Sequence, residues 1–185
     1  MEKTELLRDI RALRSDLRDY TKAKYNRVNP FCEDIFDWKE KGKFCGGKDV
    51  TVYDSTTIIG DVQIGDKTWI GPFCMLDGSG SLKIGRNCSI STGVQILTHD
   101  TVKWALSGGK CGYEYGSSTI GDCCFIGTNS VILKDVKIGN HCLVGANSFV
   151  NKSFEDFAII IGSPAKKVGR VEFEGDDVNL KYFKV

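Results

Sequence analysis

At 185 residues the chain is long enough for one domain with a core and a small appendage. Its 25 Lys plus Arg against 24 Asp plus Glu create no broad field for nucleic acid or polyphosphate, so any anion site must be local. The charged opening Met1-Glu2-Lys3-Thr4-Glu5 lacks a secretory apolar stretch, and no run approaches the roughly 18 apolar residues of a membrane span. The expectation is a soluble cytoplasmic protein with no nucleic-acid partner and no membrane span.

The first element is a helix. Leu6, Ile10, Leu13, Leu17 and Tyr20 follow a 4-3-4-3 step, with Arg8, Asp9, Arg11, Arg14, Asp16, Arg18 and Asp19 between them. This is a narrow apolar stripe on a charged helix, and it suits packing on its own chain or on another subunit equally well. Asn29-Pro30 then reads as a helix start and Gly42 as its stop, with Gly46-Gly47 as the hinge into the main body of the chain. The N-terminal helical segment is taken as residues 1–46.

From Val52 onward a repeat organises the chain. Val52, Ile58, Ile64, Ile70 and Leu76 are six residues apart; after a two-residue slip, Ile84, Ile90 and Ile96 resume the step. Beyond a long interruption come Ile120, Ile126, Ile132, Ile138, Val144 and Val150. In seven of these fourteen cases the next residue is Gly, and in twelve a small residue lies four positions on, among them Thr56, Thr68, Val94, Ser130 and Ser148. A period of six fits neither an amphipathic helix nor an alternating hairpin sheet. It fits a solenoid of short parallel strands, with the aliphatic and the small residue both facing inward because they lie two apart on one strand. Cys74, Cys88, Cys124 and Cys142 occupy the small slot. With no Cys-x-x-Cys spacing and two histidines in the chain, the eight cysteines read as reduced, metal-free thiols.

The interruption, an excursion loop over about 100–118, begins at His99. A histidine ordinarily titrates near pH ~6.5, which suits a general base, and here it stands where a rigid scaffold releases a loop. Asp77 or a backbone carbonyl are both open as the group that orients its ring; Asp100, the next residue, faces the other way in extended chain. The loop carries Lys103, Trp104, Tyr113 and Tyr115, side chains that grip and stack on a sugar or simply pack the loop down. His141, in the turn Gly139-Asn140-His141-Cys142, is read as a solvated turn histidine. Residues 166–185 are taken as a C-terminal tail, and 171–185 show no usable periodicity.

The stretch Gly93-Val94-Gln95-Ile96-Leu97-Thr98-His99, the later Glu114-Tyr115-Gly116 and Thr119-Ile120-Gly121-Asp122, and the ending Ile161-Gly162-Ser163-Pro164-Ala165-Lys166 resemble the hexapeptide-repeat acetyltransferases. The likeness covers residues 50–170. It is similar to the maltose and galactoside O-acetyltransferase branch, and closer to acyltransferases of bacterial surface-polysaccharide synthesis with a Thr-His-Asp-Thr-Val-Lys-Trp-like loop. The chain departs from the galactoside branch at Pro72, where that branch has Asn, and at Phe125, where it has Trp.

The resemblance implies an all-β left-handed parallel β-helix over 47–165, built of three hexads per coil. It also implies a homotrimer and an acetyl-CoA-dependent transfer to a sugar or nucleotide-sugar acceptor, with His99 as catalytic base. It places coenzyme A on Thr128, Ala146, Asn151, Lys152, Ser163, Lys166 and Lys167, and the acceptor on Asp77, Lys103, Trp104, Tyr113 and Tyr115, with no metal. An N-acetyltransferase of a nucleotide-linked amino sugar is the second reading, and a non-enzymatic solenoid the third. A zinc carbonic anhydrase on this shaft needs three histidines and is excluded by two.

Overall fold

The structure, a computed structural model, describes residues 3–35 and 38–183. Its body is a left-handed parallel β-helix of about six coils. Three stacks of inward aliphatics run along the shaft in strict register. On the first face Val52, Ile70, Ile90, Ile126, Val144 and Ile160 lie above one another. Ile58, Leu76, Ile96, Ile132 and Val150 stack on the second, and Ile64, Ile84, Ile120 and Ile138 on the third. All but Ile58 are buried, which is why hydrophobic burial holds each coil to its neighbours rather than to a distant core.

The corners carry backbone in the left-handed region. Between the third and first faces, Lys67, Asn87, Cys123, His141 and Phe157 have φ between 53° and 64°. Where two coils meet at a corner, the close approach demands glycine: a Cβ on Gly127 would lie 2.5 Å from Ala146 N.

The small slot does more than fill space. Thr56, Thr68 and Ser130 donate their hydroxyls to carbonyls of the next coil, at 2.6, 2.7 and 2.9 Å. The four slot cysteines do the same with sulfur, Cys74 to Ser91 O and Cys88 to Gly121 O at 3.1 Å, Cys124 to Gly139 O at 3.0 Å and Cys142 to Glu155 O at 3.2 Å. At these seven positions the slot residue is both a filler and a donor to the next coil. All four thiols are 2% exposed, and burial pushes the Cys74 thiol above its ordinary pKa. A thiol reagent is expected to label exposed Cys111 at once and to leave these four untouched until the shaft unfolds. Rapid labelling of them in native protein, or stoichiometric zinc, overturns the reading of inert core thiols.

At the start lie α1 (Lys3–Tyr25), α2 (Phe31–Ile35) and α3 (Trp38–Gly42), followed by one turn of 3₁₀ helix at Lys43–Cys45. The expected start after Pro30 and stop at Gly42 are both found, while residues 36–37 lie outside the described residues. Gly46, with φ +97°, already pairs with Ile64, so the hinge is also the first contact of the shaft. Glu33 fastens α2 to the first coil: its carboxylate accepts Asp54 N–H, Ser55 N–H and the Ser55 hydroxyl. Trp38 stacks on Tyr53 at 5.0 Å, and Tyr53 meets Trp69 edge-on.

The far end differs from the expected tail. Ala165–Glu174 runs antiparallel beside Ala158–Gly162, and Asp177–Tyr182 pairs with it in turn. The alternation of Val171, Phe173, Val178, Leu180 and Tyr182 with polar residues, around a turn at Gly175 (φ +62°), is the signal for this hairpin. Residues 184–185 lie outside the described residues. Phe173, Val178 and Leu180 face Phe125 and Leu143 across an apolar cleft of about 330 Å³. The hairpin also changes the setting of His141, whose ring is stacked on Phe157 at 5.3 Å and met edge-on by Phe173 at 5.2 Å. His141 occupies its expected turn, but as a packed aromatic and not as a solvated one.

Candidate active site

The two-residue slip after Leu76 and the excursion after Thr98 meet at the same corner. Thr57–Ile64 and Met75–Ile84 pair along their length, and the register shifts just after Gly60↔Gly78, where the second strand bulges through Ser79-Gly80-Ser81. One coil further on, His99–Asp100 leaves the shaft and pairs antiparallel with Glu114–Tyr115 to form the neck of the loop. Gly116 N–H then bonds Thr98 O as the chain returns to Ser118–Ile120. Gly80 is required where the bulge passes under the neck: a Cβ there would lie 2.4 Å from Thr98 O.

Asp77 lies at the centre of this corner. Its Oδ1 accepts Ser79 N–H at 3.0 Å, and its Oδ2 accepts Thr98 N–H at 2.9 Å and faces His99 Nδ1 at 2.6 Å. Thr98 closes the arrangement, donating its hydroxyl to Asp77 O at 2.7 Å and accepting Gly80 N–H at 2.8 Å. Burial alone would raise the Asp77 pKa, but hydrogen bonds from Ser79, Thr98 and His99 outweigh it and hold the carboxyl well below the usual carboxylate range. An ionised carboxylate only accepts, so Nδ1 is the donor and the lone pair of the neutral ring lies on Nε2. The His99 side chain is 33% exposed, while that of Asp77 is 1% exposed. Tyr115 lies alongside the ring, stacked at 6.0 Å.

The structure thus chooses Asp77, not a backbone carbonyl, as the group that orients His99. It also withdraws Asp77 from the acceptor-binding set, because a fully buried carboxylate under the imidazole has no surface to offer a substrate.

The loop side chains are organised around charge. Lys103 is bonded to Glu114, and Lys134, from the next coil, lies 3.5 Å from Asp100 and 3.6 Å from Glu114. Sequence reasoning missed Lys134; its place in the corner Leu133-Lys134-Asp135, one coil beyond His99, was the available sign. Trp104, in the short helix α4 (Val102–Leu106), packs edge-on against Tyr113 at 5.7 Å and stays 44% exposed. Tyr113 and Tyr115 are exposed as well.

The residues expected to hold coenzyme A divide between two corners. Thr128 and Ala146 stand above one another where two successive coils leave the first face, with Asn147 N–H bonded to Thr128 O, and Ser163 follows Gly162, the next residue in that register. Asn151 and Lys152 follow Phe149–Val150, at the other end of the second face and on the His99 side. All five are exposed. Lys166 is exposed in the hairpin, whereas Lys167 is tied to Glu155. One shaft does not gather these groups into a single site. Among the described residues no cluster of three or more His, Cys, Asp or Glu side chains could hold a metal, and no helix is long and apolar enough to cross a membrane.

The hexad-built left-handed coil defines a class of fold, and comparison with known proteins agrees with it. Residues 117–152 match the family described as bacterial transferase hexapeptide (six repeats). That match and the relatives below support a place among the hexapeptide-repeat acyltransferases. It is 42% identical to protein CapG of Staphylococcus aureus over 92 residues, 49% of this chain and 54% of that protein. The chain spans less than two thirds of the length of the curated relatives it matches. Among solved structures it is similar to the hexapeptide-repeat acetyltransferase VCA0836 of Vibrio cholerae O1 biovar eltor in complex with acetyl-CoA (TM-score 0.63, 25% identity, 88% of each chain). It shares its fold with the N-acyltransferase AntD of Bacillus cereus (TM-score 0.60, 22% identity, 73% of this chain and 88% of that one).

Proposed function

We propose that this protein is a cytoplasmic acetyltransferase that moves an acetyl group from acetyl-CoA to a hydroxyl of a sugar or nucleotide sugar, in bacterial surface-polysaccharide synthesis. The observation that carries the reading is the His99–Asp77 pair: a partly exposed imidazole, held by a buried carboxylate, at the mouth of the excursion. A purely structural solenoid has no use for it. His99 Nε2 takes the hydroxyl proton as the oxygen attacks the thioester carbonyl carbon; the C–S bond then breaks, and the proton passes to the departing sulfur. Asp77 is a positioning residue that fixes the tautomer and steadies the imidazolium between the two transfers. Exposed Tyr115, Tyr113 and Trp104 offer faces for the acceptor.

VCA0836 in complex with acetyl-CoA supports the same co-substrate here. The two corners that carry the coenzyme A candidates come together when one shaft lays its Thr128–Ala146 edge, with Ser163 beyond it, against the His99–Asn151–Lys152 edge of a neighbour. A homotrimer does this three times around its axis. The catalytic unit is then residues 47–165, with 1–46 and 166–185 as its flanks.

An amine acceptor is the second reading, because AntD has been solved with dTDP-4-amino-4,6-dideoxyglucose and the same base serves an amine. Thiol release from acetyl-CoA, measured over matched hydroxyl and amino sugars and their nucleotide conjugates, decides between the two. The expected result is turnover with a hydroxyl acceptor by a species that sediments as a trimer. Release with amino sugars alone moves the assignment to N-acetylation. Full activity in a monomer removes the shared site.

A further inference from the structure

Helix α1 leaves the body of the protein. Residues 3–16 are all exposed, a projection of roughly 20 Å at 1.5 Å per residue, and the helix turns inward only at Leu17, Arg18 and Thr21. Its stripe is unpartnered: Leu6, Ile10 and Leu13 are 43, 41 and 50% exposed. A single helix of this length is marginal in water when nothing covers its apolar side. The spacing is that of a heptad, with Ile10 and Leu17 at a, and Leu6, Leu13 and Tyr20 at d. The flanks of the stripe are charged with opposite signs. Asp9 and Asp16 occupy g, and Arg14 occupies e, five residues after Asp9.

In a parallel coiled coil the g residue of one helix meets the e residue of the following heptad on its neighbour, which pairs Asp9 with Arg14. In an antiparallel coil g faces g, and the aspartates would repel.

We propose that α1 is a parallel, in-register coiled-coil segment packed against the same helix of the other copies of this chain, with an Asp9–Arg14 pair across each seam. The occupant follows from the charge order. A surface of anionic lipid would favour basic residues on both flanks of the stripe, whereas here one flank is acidic. The inference concerns α1 and stands independently of how the shafts meet.

The test uses the full chain carrying D9R, R14D or both, read by sedimentation for assembly and by ellipticity at 222 nm for α1, which is far longer than α2, α3 or α4. Each single variant should lose roughly half of the 222 nm signal as the unpartnered helix frays. The double variant should recover it. Within one helix positions 9 and 14 do not meet. Arg14 also lies 5.9 Å from the Phe31 ring, a contact the double variant does not restore, so recovery reports the pair between helices. Singles that keep the wild-type signal overturn the proposal, as does a double variant as frayed as the singles. So does a wild-type chain that sediments as a monomer with α1 intact. A helical signal insensitive to both reversals that rises only with anionic vesicles overturns it in favour of a membrane surface. If the shafts remain trimeric while α1 frays in the wild type, the helix assignment fails and the shared active site survives.

Discussion

His99→Ala lowers kcat by roughly 10²–10⁴-fold with the true acceptor, the range expected for loss of a general base. The affinity for acetyl-CoA is expected to change little, because the ring lies at the neck of the loop and not on the corner that carries Thr128 and Ala146. The fold survives. His99 fills none of the three aliphatic stacks, and its backbone pairing with Tyr115 does not depend on the side chain. Equilibrium binding of acetyl-CoA and a thermal melt accompany the kinetics. His141→Ala is the companion variant, expected to turn over normally but to melt lower by the loss of its contacts with Phe157 and Phe173. Near-normal turnover by a folded His99→Ala protein would remove the mechanism.

Asp77→Asn gives a comparable loss, again roughly 10²–10⁴-fold in kcat, for a different reason. The two carboxylate oxygens face three N–H groups: Ser79 N–H on one, Thr98 N–H and His99 Nδ1–H on the other. An amide has one acceptor. With its oxygen toward His99, the NH₂ confronts Ser79 N–H. With its NH₂ toward His99, Nδ1 must become the acceptor, Nε2 carries the proton and the base is gone. Either arrangement leaves a buried donor unpaired, at a cost of about 1–3 kcal/mol.

The pH dependence of that cost has a definite sign. Asp77 is held well below the usual carboxylate range in the folded protein, against about 3.9 when unfolded. Its contribution is fully present above about pH 4 and is lost as pH falls toward the folded pKa. The melting difference between wild type and Asp77→Asn is therefore widest at neutral pH and narrows in acid. Unaltered turnover, or a melting gap that widens as pH falls, would show that Asp77 is not the ionised partner of His99.

The shaft is legible in the sequence because every hexad repeats the same physical demand. One aliphatic and one small residue face inward in each, and fourteen agreeing positions outweigh any single exception. The corner that holds His99 is legible as a break in the period. Its orienting group stays open between Asp77 and a backbone carbonyl: the slip shows in the sequence, but Asp77 and His99 are 22 residues apart, and only three dimensions show that the bulge passes beneath the neck. The hairpin at 165–182 escapes a sequence reading because its alternation is short and most of its apolar side chains remain exposed, so no strong burial pattern marks it. The setting of His141 escapes with it, since Phe173 comes from the hairpin. For the coenzyme A candidates, sequence order conceals that consecutive hexads turn to different faces and that Ala146 and Asn151 lie at opposite ends of one strand.

The register on either side of the loop has a structural consequence. Elsewhere the shaft advances about 18 residues per coil, as from Asp122 to Asn140, but across the excursion Arg86 meets Asp122 after 36. The coil resumes as if nothing had been inserted: Ile90 sits on Ile126 and Ile96 on Ile132. The added chain is charged only the slowly growing entropy of closing a loop whose ends are already pinned together. The stretch between the neck strands can thus change in length without disturbing the register of the coils on either side. An insertion at this corner is therefore an architectural change the shaft can accept at little cost to its own packing.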